Sequence, residues 1–169
     1  MKGFKNTSEF ERLFMEELKG LYWLESHWIT TQRELEEFVV SDELRVTLRS
    51  HNLLNMEAVL RLEKIFNLMN VNIAHESSRF VDDLIYEIRR KINITREDSM
   101  VRDAALIIDV QKVIHFTIAA YGSLATLAQL MNQQEIRDLL QTTLHEKKVN
   151  DVELTALAEN FTNLKAANE

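Results

Sequence analysis

The chain has 169 residues, no cysteine, no proline, only three glycines and a formal charge of −7. The lack of cysteine excludes disulfides and thiolate metal sites, and the scarcity of proline and glycine favours long helices. The negative charge argues against nucleic-acid binding, which needs a basic stripe. We expect one domain over residues 1–169, and a cytoplasmic protein, because the N-terminal segment lacks the features of a secretion signal.

The first two predicted helices form a hairpin. Apolar residues recur at helical spacing from about residue 8 to residue 40, and again from about 43 to 69. Ser41 or Asp42 can cap the second helix, and Asn70 can end it in the left-handed conformation. Because the connection is very short, the two helices must lie antiparallel and side by side.

The last two predicted helices form a second hairpin. The third helix runs from about 99 to 131, after a lead-in in which Thr95 and Asp98 resemble a capping box. The fourth follows the "NQQ" at 132–134 and reaches about residue 165, so that the terminal "KAANE" at 165–169 is expected to fray. A short loop again makes these helices antiparallel neighbours.

The connection between the two hairpins sets the topology. Residues 70–98 are long enough to run back along the bundle, and they contain a short amphipathic helix at about 76–91. One long crossover between two helical hairpins is the ferritin-like arrangement, not the simple up-down one. The sequence therefore predicts an all-α, ferritin-like four-helix bundle.

The third helix carries an almost wholly apolar stretch, "VQKVIHFTIAAYG", at residues 110–122. It approaches the length of a membrane span, but it contains His115 and Thr117, and the other three long helices are charged and amphipathic. We therefore interpret it as a buried bundle helix and expect no membrane insertion. Because it is apolar on two sides, either the crossover or a second subunit must cover it, which predicts a homodimer.

Several polar residues project onto the predicted apolar faces, and their heights along the bundle show which of them can meet. At ~1.5 Å per residue, Glu25, Leu54, the pair Ile114 and Thr117, and the segment 147–151 lie at about one level. Bundles hold carboxylate-bridged di-metal sites at such a level. The polar residues projected inward are Glu17, Glu25, His51, Asn55, Asp109, Thr117, Lys147 and Asp151.

This set does not complete a di-metal site. Such a site needs about four glutamates and two histidines, whereas the chain offers Glu25, Asp151 and at most His51. Lys147 would repel a divalent cation. Three interpretations of Glu25 and Asp151 stay open: surviving metal ligands, a buried pair held by Lys147, or edge residues that reach solvent.

The segment "VRDAALIIDVQKVIHFTIAAYGSLATLAQL" resembles the YciE/YciF family of bacterial ferritin-like proteins. The resemblance continues through "LLQTTLHEKKVNDVELTALA" and reaches back to "FMEELKGLYWLE" and "LRSHNLLNMEAVLRLEKIF", so it covers nearly the whole chain in order. It implies a four-helix bundle that dimerises, a carboxylate-rich di-metal centre in many members, a link to stress responses and a ferroxidase-like label given by analogy.

The chain departs from the family pattern at the metal-binding positions. Where the family reads H-L-E-E-T, this chain reads "HNLLN", and Leu54 replaces a glutamate. Where it reads V-E-H-Y-E-I-A, this chain has Ile114 and Thr117 in place of two glutamates. Where it reads E-E-K-x-x-D, Lys147 replaces a carboxylate, while Glu25 and Asp151 remain. We therefore hypothesise that the Lys147 ammonium substitutes for the metal charge.

Three functions remain in competition. The first is a non-catalytic, stress-related structural or interaction protein with no cofactor and an unidentified protein partner. The second is a ferroxidase-like or metal-binding protein that holds iron or manganese at Glu25, His51 and Asp151. The third is a binding module whose interior accepts an apolar ligand between Leu54, Ile114 and Thr117.

Five polar residues receive structural interpretations. We expect His51 to be a neutral core histidine bonded to Asn55 or to a backbone carbonyl. His115 should face the crossover or a dimer interface, and His145 and Glu146 should face solvent. Asp109 marks either a shallow pocket or an exposed rim.

Overall fold

The computed structural model describes residues 8–73 and 79–169, and regular structure in these ranges is entirely helical. Five long or medium helices are followed by a π-helical turn at Ala158–Thr162 and a last short helix, α6. The bounds are α1 Glu9–Leu35, α2 Asp42–Leu68, α3 Arg79–Ile94, α4 Met100–Leu130, α5 Gln134–Leu157 and α6 Asn163–Ala166. The all-α prediction is confirmed.

Side-chain contacts fix the direction of each helix pair. Gln32 of α1 contacts Leu48 of α2, and Tyr22 further back along α1 contacts Glu63 further on in α2, so the two helices are antiparallel. In the second hairpin, Gln111 of α4 donates to Thr155 of α5. Gln111 lies about as far before the connecting loop as Thr155 lies after it, so these two helices are also antiparallel. The crossover helix α3 packs on α4 and α1. This is the predicted bundle of two antiparallel hairpins with a crossover.

The first hairpin turn is held by a residue from the second hairpin. Ser41 caps α2 as predicted, since its hydroxyl accepts from the Leu44 amide. The carboxylate of Asp103 in α4 then accepts from the amides of Val40 and Ser41, both at 2.8 Å, and from the Ser41 hydroxyl at 2.6 Å. Asp103 is fully buried, so these three bonds satisfy its charge and tie the hairpins together.

Several predicted boundaries are corrected. The first helix ends at Leu35, before the expected residue 40, and the crossover helix ends at Ile94, three residues later than expected. Its expected start near Glu76 lies outside the described residues. Asn70 has the predicted left-handed conformation, with φ 54°.

The expected capping box before α4 is wrong, and the last residue of the tail that was expected to fray contacts the start of this helix. Ser99 is the N-cap of α4, and the Thr95 hydroxyl instead donates to the Lys91 carbonyl at the end of α3. The side chain of Glu169 accepts from the Ser99 hydroxyl at 2.5 Å and from the Met100 amide at 2.8 Å. These hydrogen bonds lower the pKa of the Glu169 carboxyl. A carboxylate is favourable there because a helix N-terminus carries a partial positive charge.

The hydrophobic core explains how the crossover and the apolar helix fit together. The inner face of α3, which consists of Val81, Ile85, Ile88 and Ile92, packs in the same core as Val110 and Val113 of α4. Although α4 is long and apolar enough to cross a membrane, it is packed here as a bundle helix. The crossover covers only part of its second apolar side, because Ile108, Phe116 and Leu130 stay exposed.

Candidate functional site

A buried ion pair lies halfway along the bundle. Glu25 on α1 is 0% exposed, because it follows the core residues Leu21 and Leu24 on the inner face of its helix. The Nζ atom of Lys147, from α5, lies 2.8 Å from Oε1 of Glu25 and 2.9 Å from Oε2. Each buried ion loses several kcal/mol of solvation, which only a close partner can offset. Both carboxylate oxygens are therefore held by the ammonium.

Asn55 of α2 completes the polar cluster. Lys147 Nζ donates to Oδ1 of Asn55 at 2.6 Å, and Nδ2 of Asn55 donates to Oε1 of Gln32 at 2.5 Å. Gln32 in turn donates to the Leu48 carbonyl at 2.9 Å. This chain of hydrogen bonds crosses from α5 through α2 to α1 and ends on a backbone acceptor. It fixes the orientation of the Asn55 amide.

Gln32 and Tyr121 also belong to the cluster, although neither is among the residues predicted from the sequence. Gln32 lies seven residues after Glu25, so helical periodicity places both on one face, and this spacing could have revealed it. Tyr121 of α4 lies beside Glu25 and is buried. Burial raises the pKa of Tyr121 well above its usual value, and the neighbouring Glu25 carboxylate raises it further. The phenol is therefore neutral at physiological pH.

Asp151 does not join the cluster, and its predicted contact with Lys147 is wrong. Its Oδ1 accepts from Gln111 of α4 at 3.1 Å and lies 3.2 Å from Nε2 of the exposed His115. The i, i+4 spacing places Lys147 and Asp151 near one another on α5, but it does not fix where the side chains extend. The lysine extends across the bundle toward Glu25, whereas the aspartate turns toward α4. Asn55 takes the place expected for Asp151.

His51 is buried, and its partner differs from the predicted one. Its Nε2 lies 3.0 Å from an oxygen of Glu153 on α5, and neither Asn55 nor a backbone carbonyl is its hydrogen-bond partner. Desolvation lowers the pKa of His51, and the Lys147 charge adds to this, while Glu153 opposes it. His51 is therefore mainly neutral at physiological pH, as expected.

Residues without a carboxylate occupy three positions where the family pattern has glutamates, namely Leu54, Ile114 and Thr117. Ile114 and Thr117 are buried in α4, and the Thr117 hydroxyl donates to the Ile114 carbonyl at 2.8 Å within the same helix. Leu54 is only half-buried, so it lies at the edge of α2 and not on its inner face. The residue of α2 that faces the cluster at this level is Asn55.

These residues do not fit a di-metal centre. In the ranges 8–73 and 79–169, the structure contains no group of three or more His, Asp or Glu side chains arranged to hold a metal ion. Both oxygens of Glu25 face an ammonium, while His51 and Asp151 turn to separate partners on different helices. A cation here would meet one carboxylate and one positive charge.

Three further predictions are resolved by the structure. Asp109 is buried and forms ion pairs with Lys91 of α3 at 2.5 Å and with Lys112 at 3.0 Å, at the edge of a small cleft. Glu146 does not face solvent as expected, because Arg61 binds both of its oxygens, at 2.6 and 2.8 Å. Glu17 is exposed, so its predicted inward position is wrong.

Comparison with known proteins identifies relatives over nearly the full chain. The family described as a domain of unknown function (DUF892) matches residues 9–167. Protein YciF of Escherichia coli (strain K12) is 33% identical over 165 residues, which cover 97% of this chain and 99% of YciF. The crystal structure of the E. coli stress protein YciF has a TM-score of 0.86 at 31% identity, over 93% of this chain and 99% of that chain.

Two other solved structures have the same fold. YcfI from Rhodopseudomonas palustris, which is proposed to be a structural protein, has a TM-score of 0.82 at 25% identity and covers 90% of this chain and 97% of its own. A protein from Xanthomonas campestris has a TM-score of 0.76 at 17% identity, over 95% and 98% of the two chains, and shows the fold alone. The resemblance found in the sequence is thus confirmed, and the chain belongs to the DUF892 family, whose relatives include the E. coli stress protein YciF.

Proposed function

We propose that this protein is a non-catalytic, cytoplasmic structural or interaction protein with a stress-related role, in which an internal ion pair takes the place of a di-metal centre. The observation that carries the proposal is the contact of both Glu25 oxygens with the Lys147 ammonium. The names of two relatives, a stress protein and a protein proposed to be structural, agree with it.

Electrostatics favours the ion pair over a bound metal. One buried carboxylate and one buried ammonium already balance, so the core needs no additional cation. A cation about 4 Å from the ammonium would be repelled by about 4 kcal/mol per unit of charge, at the effective dielectric constant of a protein. The alternative site of Glu25, His51 and Asp151 lacks support, because each of these side chains has a different partner.

We also propose that the protein is a homodimer that uses the outer face of α4. Exposed Phe116 forms an apolar groove with Ala119 and Leu127 of the same helix and with Leu13 of α1. A straight apolar helix face can pack against its own copy about a twofold axis, and this covers the same residues on both subunits. A second copy would supply the cover that the crossover helix does not.

Ferrous-iron oxidation tests the proposed lack of catalysis. We expect the purified protein to oxidise Fe²⁺ no faster than a buffer blank, because one carboxylate paired with an ammonium cannot hold two irons. The matched sample is the Lys147→Met variant, which removes the positive charge and adds no ligand. Oxidation by the wild-type protein at a catalytic rate, and its loss when Glu25 is changed to Gln, would overturn the proposal.

A further inference from the structure

The polar cluster brings together an amine, a carboxamide and a carboxylate in the interior of the bundle. These are the groups needed to join two side chains through an amide bond. We propose that Lys147 forms an intramolecular isopeptide bond with Asn55, in which Nζ attacks Cγ of the amide, ammonia leaves and Glu25 acts as the proton acceptor. The ion pair described above is the state before this reaction, and the product covalently links α5 to α2.

The distances place the nucleophile close to its target. Lys147 Nζ lies 2.6 Å from Oδ1 of Asn55. A carbonyl bond is about 1.23 Å long, so Cγ lies no more than about 3.8 Å from Nζ. Reacting atoms in near-attack conformations are about 3–3.5 Å apart, so a small side-chain movement suffices.

The amide of Asn55 is also held in one orientation. Oδ1 of Asn55 faces the lysine, whereas Nδ2, the leaving nitrogen, donates to Gln32 on the other side. Gln32 is itself held by the Leu48 carbonyl, which keeps the amide from turning over. Gln32 is therefore a positioning residue.

Glu25 is placed to accept a proton from the lysine, because its Oε1 lies 2.8 Å from Nζ of Lys147. Glu25, Asn55 and Lys147 are respectively 0, 2 and 3% exposed, so water does not solvate the two charges. Transfer of one proton across the 2.8 Å contact converts the ion pair into a neutral amine and a neutral acid. A neutral amine is the nucleophilic form of lysine.

The reaction is balanced without an oxidant or a cofactor. Glu25 first takes a proton from the Lys147 ammonium, and the free amine then attacks Cγ to give a tetrahedral adduct. The Nζ–Cγ bond forms in this adduct, where both nitrogens are bonded to the same carbon. The Cγ–Nδ2 bond then breaks as a second lysine proton, relayed by Glu25, goes to the leaving nitrogen. The products are a secondary amide, one ammonia molecule and protonated Glu25.

The link would matter for a structural protein because it joins the two hairpins. Asn55 and Lys147 are 92 residues apart in sequence. A covalent bridge that closes so long a loop restricts the unfolded chain strongly. It would thus make the bundle resistant to unfolding in a compartment where the chain has no cysteine to form a disulfide.

Mass spectrometry of the purified full-length protein, both fresh and after prolonged incubation at neutral pH, tests the proposal. We expect an intact mass about 17 Da below the sequence mass, from loss of one ammonia. Trypsin should then release residues 50–61, "SHNLLNMEAVLR", joined to residues 138–148, "DLLQTTLHEKK", because a modified Lys147 is no longer cleaved.

The variants define the chemistry. Lys147→Met and Asn55→Leu should each keep the full sequence mass, and so should Glu25→Gln, which retains the shape of the side chain but cannot accept the proton. Wild-type protein that keeps its full sequence mass after incubation would overturn the proposal. So would an ammonia loss confined to residues 50–61, because that marks a succinimide. Either outcome leaves the question of metal content untouched.

Discussion

Removal of Lys147 should strongly destabilise the bundle, and removal of Glu25 as well should restore most of the loss. In the Lys147→Met variant, a fully buried carboxylate stays in place but loses the ammonium that lies 2.8 Å from it. Breaking a buried pair in this way costs about 3–5 kcal/mol, whereas replacing both ions with apolar residues of similar size is often neutral. The informative comparison is therefore Lys147→Met against the double variant Glu25→Leu/Lys147→Met, since neither can form the proposed cross-link.

The free energy of unfolding, measured by urea denaturation at neutral pH, should be about 3–5 kcal/mol lower for Lys147→Met than for the double variant. For a chain of this size, that corresponds to roughly 10 °C in Tm. The matched control is the surface pair of Lys64 and Glu135, which has the same 2.8 Å separation but side chains that are 54 and 59% exposed.

The corresponding variants of the surface pair, Lys64→Met and Glu135→Leu/Lys64→Met, should differ by less than about 1 kcal/mol, because water solvates an exposed charge that has lost its partner. Equal stability of Lys147→Met and its own double variant would refute the reasoning. It would mean that Glu25 does not depend on the lysine for compensation.

Three further predictions concern the fold, the histidine and the dimer. Asp103→Asn should lower the free energy of unfolding by about 2–4 kcal/mol, since it disturbs three buried hydrogen bonds, and the exposed Asp98→Asn should change it by less than about 0.5 kcal/mol. Burial lowers the pKa of His51 in the folded state, so the unfolded chain binds more protons at acidic pH. The free energy of unfolding should therefore fall as the pH drops below about 6.5. In urea titrations, His51→Gln should weaken this pH dependence. Phe116→Glu should convert the proposed dimer to a monomer in analytical ultracentrifugation. The control Val152→Glu, on the exposed side of α5, should leave the dimer intact. A wild-type protein that is monomeric at all concentrations would contradict this prediction.

Much of the fold could be predicted because it depends on local signals. The apolar period gives the long helices, Ser41 and Asn70 mark the boundaries of α2, and short loops require antiparallel pairs. The contacts that could not be predicted join residues that are distant in sequence. Asp103 caps a turn 62 residues earlier, and Glu169 caps a helix 70 residues earlier. Helical periodicity contains no information on either contact.

The candidate site was predictable in part for the same reason. Helical projection shows which face a residue occupies, and it places Glu25, Asn55 and Lys147 on inner faces at similar heights. It does not show which rotamer a long side chain adopts. Lys147 and Asp151 share a face of α5, yet they contact different helices. The exclusion of Asp151 from the cluster therefore required the three-dimensional structure.

The most direct test of the central claim, that an ammonium and not a metal offsets the Glu25 charge, is the metal content of the protein. The wild-type chain should be produced in cells supplied with iron and manganese, purified without chelators and analysed by inductively coupled plasma mass spectrometry. We expect less than about 0.1 metal ion per chain, because the residues around Glu25 lack the carboxylates that a di-metal site needs. About two ions of iron or manganese per chain, lost when Glu25 is changed to Gln, would contradict it.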